Sequence, residues 1–350
     1  MPERNTMKKI QELQQVKGDA YDYYIAGNED TDLFEKIFLV DDIVEEICKP
    51  DKYFLIGEKG SGKTAYSVYM SKSDKINSFC SISLVENTLY QRFLNMKRQK
   101  ALELSSFKDV WINLIYLILA EKIRKEYGET FFSSIKYKQL SKAIDVFYSD
   151  AFKPEFVNAF EFVDNASASI NSMMKQGLFS TGTKASAETS QKYVEQSFQI
   201  SLLKIRDGFE KAFMSVNLKK PTILFVDGID ARPRDIDNEQ YFECLVGLVN
   251  AVLEMNQSFL KEKQIKIMLL IRPDIMYKMP VHNMNQKLRN NSVLLNWVTS
   301  YRKYIDSKLF KIADDYFMKQ QDYSYELGEC WNYYFPYKVE YQEKWKAPDN

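Results

Sequence analysis

Tyr53–Met70 reads YFLIGEKGSGKTAYSVYM. Within it, Gly57-Glu58-Lys59-Gly60-Ser61-Gly62-Lys63-Thr64 fits G-x-x-x-x-G-K-[ST], the Walker A phosphate-binding loop. The flanks carry as much weight as the letters. The apolar run Tyr53-Phe54-Leu55-Ile56 enters the loop, and a helical pattern with Ala65, Val68 and Tyr69 leaves it. A strand, a glycine loop and a helix in that order is the context such a motif requires. Gly57, Gly60 and Gly62 allow backbone conformations that a Cβ forbids, so that successive N–H groups can face phosphate oxygens. The helix beginning near Gly62 adds its positive end. Lys63 is the residue expected at the β- and γ-phosphates, and the Thr64 hydroxyl is a candidate Mg²⁺ ligand. The candidate nucleotide cradle is therefore Gly57, Glu58, Lys59, Gly60, Ser61, Gly62, Lys63, Thr64 and Ala65.

A phosphate loop needs a carboxylate to hold its metal, and Thr222-Ile223-Leu224-Phe225-Val226-Asp227 supplies one. The run is continuously apolar and rich in β-branched residues, as in a strand buried on both faces. It ends in Asp227, at the edge where open α/β sheets bind ligands. Asp227 is the candidate Walker B carboxylate, bound to Mg²⁺ directly or through water. Asp230, three residues on, is a candidate for polarising the attacking water. A third apolar run, Gln264–Ile271 (QIKIMLLI), ends in Arg272-Pro273-Asp274. In P-loop ATPases of the additional-strand type, the strand between Walker A and Walker B ends in a polar sensor. Arg272 stands at the equivalent place, with a structural ion pair to a nearby carboxylate as the equal alternative.

These motifs resemble the prokaryotic P-loop ATPases near the KAP and STAND groups, which are NACHT-like and related to AAA+ proteins. The matching segments are Gly27-Asn28-Glu29-Asp30, Gly57–Ala65, Asp227-Gly228-Ile229-Asp230 and Ile271-Arg272-Pro273-Asp274-Ile275. The resemblance implies an α/β P-loop fold of the additional-strand type, with ATP and Mg²⁺ as ligands. It also implies an intracellular switch or motor, often tied to bacterial antiphage defence, and it places the Asn28–Asp32 turn near the adenine. Two departures stand out. Ala231 follows the second Asp where NACHT-type proteins commonly carry Glu, and no R-P-R-D motif follows the sensor strand. Arg232-Pro233-Arg234 lies just past Walker B instead. Arg232, Arg234 and Arg289 are candidates to reach a neighbouring copy's nucleotide, on electrostatic grounds.

Bulk properties narrow the class. With 350 residues the chain can bury a sizeable core. Lys+Arg 48 against Asp+Glu 48 leaves no global field for nucleic acid, so such binding would need a local patch. Met96–Lys100 and Lys122–Lys125 are basic clusters of the kind that usually form solvated helix faces. One histidine, His282, argues against His-based metal or triad chemistry. Cys48, Cys80, Cys244 and Cys330 form no C-x-x-C pair and read as reduced thiols of a cytoplasmic protein. Met1–Gln14 has no apolar targeting core, and Val110–Ala120 is too short to span a bilayer, so no membrane partner is expected. The absence of N-K-x-D and of L-S-G-G-Q argues against small-GTPase and transporter-type readings.

The expected organisation runs as follows. Residues 1–85 carry an N-terminal helix over Met7–Ile25, the Walker A loop and a second strand within Asn77–Val85. Residues 86–219 form a mostly helical insertion or lid, with helices near Leu89–Lys100, Phe107–Tyr127, Lys138–Tyr148 and Gln191–Asn217. Within it, Asn165–Ser190 is a Ser/Thr-rich break, either a functional loop or a connector. Residues 220–315 hold Walker B, the sensor strand, a fifth strand over Asn291–Asn296 and a helix over Trp297–Phe317. That helix would turn Tyr301, Ile305, Leu309 and Ile312 to one face. Residues 316–350 are dense in aromatics, which either pack internally or meet a partner. The expected core is a parallel five-stranded sheet sandwiched by helices. Three functions compete: an ATPase switch acting as a homo-oligomer or on an effector protein, a phosphotransferase, and a nucleotide-held scaffold.

Overall fold

The computed structural model describes residues 12–25, 28–85, 107–132, 137–150, 202–229, 238–279, 288, 290–297, 304–321 and 324–335. Five strands form one sheet: β1 (Phe54–Gly57), β2 (Phe79–Leu84), β3 (Thr222–Asp227), β4 (Ile265–Ile271) and β5 (Ser292–Leu295). Their order is β2-β3-β4-β1-β5, and every pairing is parallel. β4 therefore lies between the strand that feeds the glycine loop and the strand that ends in Asp227. The three central strands are buried along their whole length, which is why they read as unbroken apolar runs.

The described helices are, in chain order, α1 (Ala20–Ile25), α2 (Asn28–Ile37), α3 (Asp42–Cys48), α4 (Lys63–Lys72), α5 (Phe107–Phe132) and α6 (Lys138–Asp150). Then come α7 (202–215), α8 (Asn238–Asn256), α9 (Pro273–Lys278), α10 (Lys308–Met318) and α11 (Glu329–Tyr334). α5 is interrupted at Gly128, where φ is 74°. Its Val110–Ala120 stretch is wholly buried, as the sequence predicted, and packs on α8. At that seam Gly247 brings the helices close: a Cβ there would lie 2.6 Å from the Phe107 Cβ. The Trp111 indole donates to the Cys244 carbonyl at 3.1 Å. Among the described residues, no helix is long and apolar enough to cross a membrane.

The chain divides into two compact units, residues 42–295 and residues 1–41 with 296–350. The first holds the sheet and all the Walker residues. In the second, the Asp314 carboxylate is fully buried and accepts from the Gly328 and Trp331 amides at 2.6 and 3.1 Å. It thereby fixes the start of α11. Phe310, Phe317, Trp331, Tyr334 and Phe335 pack against one another in tilted and edge-on pairs.

Three expected elements differ. Within the described part of the expected Met7–Ile25 helix only α1 is helical, because residues 12–19 are irregular and Asp19 starts the helix by accepting from the Tyr21 amide; residues 7–11 lie outside the described residues. Asn28–Asp32 is the first turn of α2 rather than a turn between elements. Of the expected helix over Trp297–Phe317, the described residues show a 3₁₀ turn at Tyr304–Asp306 and then α10 from Lys308, where Ser307 caps it by accepting from the Phe310 amide at 3.0 Å; residues 298–303 lie outside the described residues. The cap fixes the register so that Phe310 and Asp314 face inward, while Leu309 is 59% exposed. The expected helix near Leu89–Lys100 and the Asn165–Ser190 break lie outside the described residues, as does His282.

Candidate functional site

The glycine loop joins β1 to α4, and its three glycines do different work. Gly60 and Gly62 have φ of 80° and 89°, the left-handed region that glycine adopts most readily. Gly57 is required for space instead: a Cβ on it would meet the Ser61 Oγ at 2.2 Å and the Leu295 Cβ at 3.0 Å. The loop thus folds back over the end of its own strand, held by the Ser61 amide donating to the Glu58 carbonyl at 3.1 Å. Gly62 is the N-cap of α4 and offers no side chain to the first-turn amides. Glu58 and Lys59 are exposed, Ser61 is buried, and Ala65 is half-buried on the first turn of α4.

Lys63, 7% exposed, curls back across the loop. Its ammonium donates to the Gly57 carbonyl at 2.8 Å and the Glu58 carbonyl at 3.2 Å. Next to it, the Thr64 hydroxyl donates to the Asp227 Oδ2 at 2.7 Å, joining residues 163 positions apart. The other oxygen of Asp227 accepts from the Gly228 amide at 2.7 Å. A hydroxyl and a carboxylate brought together in this way are hard oxygen donors of the kind Mg²⁺ takes.

Gly228 explains why a glycine follows the carboxylate. Its φ is 85°, and a Cβ would lie 3.0 Å from the Val85 carbonyl oxygen. The Val85 amide in turn donates to the Asp227 carbonyl at 2.8 Å, extending the β2–β3 pairing by one residue. Ile229 is anchored by the Tyr241 hydroxyl, which donates to its carbonyl at 2.8 Å. Asp230 lies outside the described residues, as do Ala231, Arg232, Arg234 and Arg289.

Arg272 follows β4, one position past the Ile56–Ile271 pair and so level with Gly57. Its guanidinium makes a two-pronged ion pair with Asp274, at 2.9 and 2.8 Å. Pro273 starts α9 between them. Of the two alternatives for Arg272, the structural ion pair is therefore present, with Asp274 as the carboxylate.

The sequence shows Gly228 and Asp274 only as letters of their motifs, without these roles, and gives no role to Val85 or Tyr241. Asp274 had a signal, since a carboxylate two residues from an arginine across a helix-starting proline can fold back on it. Val85 and Tyr241 act through backbone contacts that no residue pattern announces. Compared with known proteins, the chain matches no family model, no curated protein and no solved structure.

Proposed function

We propose that this chain is a P-loop ATPase of the additional-strand type, binding ATP with Mg²⁺ and hydrolysing it to control a partner. The observation that carries the reading is the Thr64–Asp227 hydrogen bond of 2.7 Å. It unites the last residue of the Walker A motif with the Walker B carboxylate at the loop end of one parallel sheet. The strand order β2-β3-β4-β1-β5 supports it, since it sets a further strand between the two Walker strands.

Each residue has a role in this reading. The loop from Gly57 to Thr64 wraps the phosphates with backbone N–H groups, and the uncapped start of α4 adds its partial positive charge. Lys63 exchanges the Gly57 and Glu58 carbonyls for the β- and γ-phosphate oxygens. The Thr64 hydroxyl and the Asp227 carboxylate would hold Mg²⁺, which when bound would neutralise phosphate charge. The role of Asp230 in orienting water rests on its sequence position alone. A second reading, a nucleotide-held scaffold, is favoured by one contact: the Arg272 guanidinium is already engaged by Asp274.

The test is nucleotide binding and turnover with ATP and GTP in the presence of Mg²⁺, with mass followed by light scattering. ATP-selective turnover is expected, abolished in Lys63→Ala and Asp227→Asn. Retained binding and turnover in Lys63→Ala would overturn the proposal. Tight ATP binding without turnover would select the scaffold.

A further inference from the structure

A cavity of about 220 Å³ opens at the opposite end of the sheet, where β3 and β4 begin. Among the described residues, its wall includes two lysines, Lys261 and Lys266, and no carboxylate. Pro221 and Ile223 give it apolar surface, and Ser78 adds a hydroxyl. Lys266 is the second residue of β4 and is 7% exposed. A lysine this deep in a parallel sheet is normally matched by an acid.

Here the match is partial. The Lys266 ammonium donates to the Ile47 carbonyl and, at 2.9 Å, to the Lys49 carbonyl, so it is seated on the C-terminal end of α3. Those carbonyls carry partial negative charge, but they account for two of its three N–H donors. The ionisable groups that bear on the amine are Cys48, Cys80 and Asp51, and Asp51 is not part of the cavity wall. Burial outweighs them, and the amine is pulled down to about 8 from its ordinary 10.5. The molecule thus places an incompletely neutralised cation at the wall of a cavity with apolar sides and a second lysine.

We propose that this cavity binds a small organic anion, its carboxylate or phosphate group on Lys266 and Lys261 and its apolar body against Pro221 and Ile223. The site is independent of the nucleotide loop. An anion here supplies the missing counter-charge, and its affinity falls as the pH rises and Lys266 loses its proton.

Cys48 provides the readout, because it is also part of the wall and is the exposed thiol of the four. Phenyl phosphate and benzoate are titrated against the full chain while the rate of maleimide addition to Cys48 is followed. Saturable slowing of that reaction is expected. The concentration needed should rise about tenfold or more in Lys266→Met and severalfold in Lys261→Ala, a surface change that leaves the fold intact. Slowing by phenyl phosphate alone would identify a phosphate site, and by benzoate alone a carboxylate site. No saturable slowing with either probe, or an unchanged midpoint in Lys261→Ala and in folded Lys266→Met, would overturn the proposal.

Discussion

Replacing Lys266 by Met makes the cost of its burial measurable as a function of pH. The amine titrates near 8 in the folded chain and near 10.5 when unfolded. Below about pH 8 both states are protonated, and the folded chain carries the full penalty, about 3 kcal/mol from that difference. Between the two values the unfolded chain binds more protons, so stability rises with pH; above the higher value the penalty is gone. At about pH 9.5 roughly 1 kcal/mol should remain, a recovery of about 2 kcal/mol. Methionine removes the titration but leaves the Ile47 and Lys49 carbonyls without this donor, at about 1–3 kcal/mol. The two effects nearly cancel at neutral pH, so the variant should then match the native chain to within about 2 kcal/mol. The native chain should overtake it as the pH rises. Urea unfolding of both proteins from neutral pH to about 9.5, in a buffer free of phosphate and carboxylate, gives the difference directly. Cys80 is pushed by burial up to about 12, and Cys48, whose thiol burial raises and Lys266 pulls down, is replaced by Ser in both chains so that its titration does not enter the difference. A stability difference that stays constant with pH would refute the reasoning, because it would mean that burial does not depress the amine.

Gly57→Ala should destabilise by about 1–3 kcal/mol and weaken nucleotide binding, because its methyl meets Ser61 at 2.2 Å. Gly60→Ala faces open space, so left-handed strain of about 1 kcal/mol is its whole cost in urea unfolding. Gly247→Ala should lose about 1–3 kcal/mol at the α5–α8 seam, while Gly208→Ala, with nothing within 4 Å on α7, should gain about 0.5–1 kcal/mol. Asp314→Ala leaves the Gly328 and Trp331 amides without an acceptor. A loss of about 2–3 kcal/mol and a changed near-ultraviolet circular dichroism signal from Trp331 should follow. Asp274→Asn should change stability by less than about 1 kcal/mol, since the pair is part-exposed, and should raise ATP turnover. Unchanged turnover would leave Arg272 with a structural role only.

The sheet was legible because burial on both faces turns a strand into an apolar run, as in Thr222–Val226 and Gln264–Ile271. The loop was legible because positive φ at Gly60 and Gly62 leaves a glycine signature. Helix ends were not. Nothing in the periodicity of Trp297–Phe317 reveals that Ser307, not an earlier residue, supplies the cap that sets the inward face. Gly18-Asp19 is a break that apolar spacing alone does not register, and α1 starts just after it. Lys266 was in plain view as the one charge within an apolar strand, and its meaning depended on which helix end lay over it.

The same physics places both candidate sites. A parallel sheet covered on both faces tolerates charge only near strand ends, where backbone groups and solvent can compensate it. Asp227 is the last residue of β3 and Lys266 the second of β4, and between the ends the strands are apolar apart from small hydroxyls. Because all strands run the same way, the carboxylate falls at the edge where the glycine loop turns and the amine at the edge where α3 ends. Opposite charges therefore stand at opposite ends of adjacent strands. The acid is held by the Thr64 hydroxyl and the Gly228 amide, the amine by the Ile47 and Lys49 carbonyls. The two edges differ in what remains unsatisfied. Both Asp227 oxygens are engaged, by Thr64 and Gly228, whereas the lysine at the other end has donated to two carbonyls and meets no carboxylate among the described residues of its cavity wall.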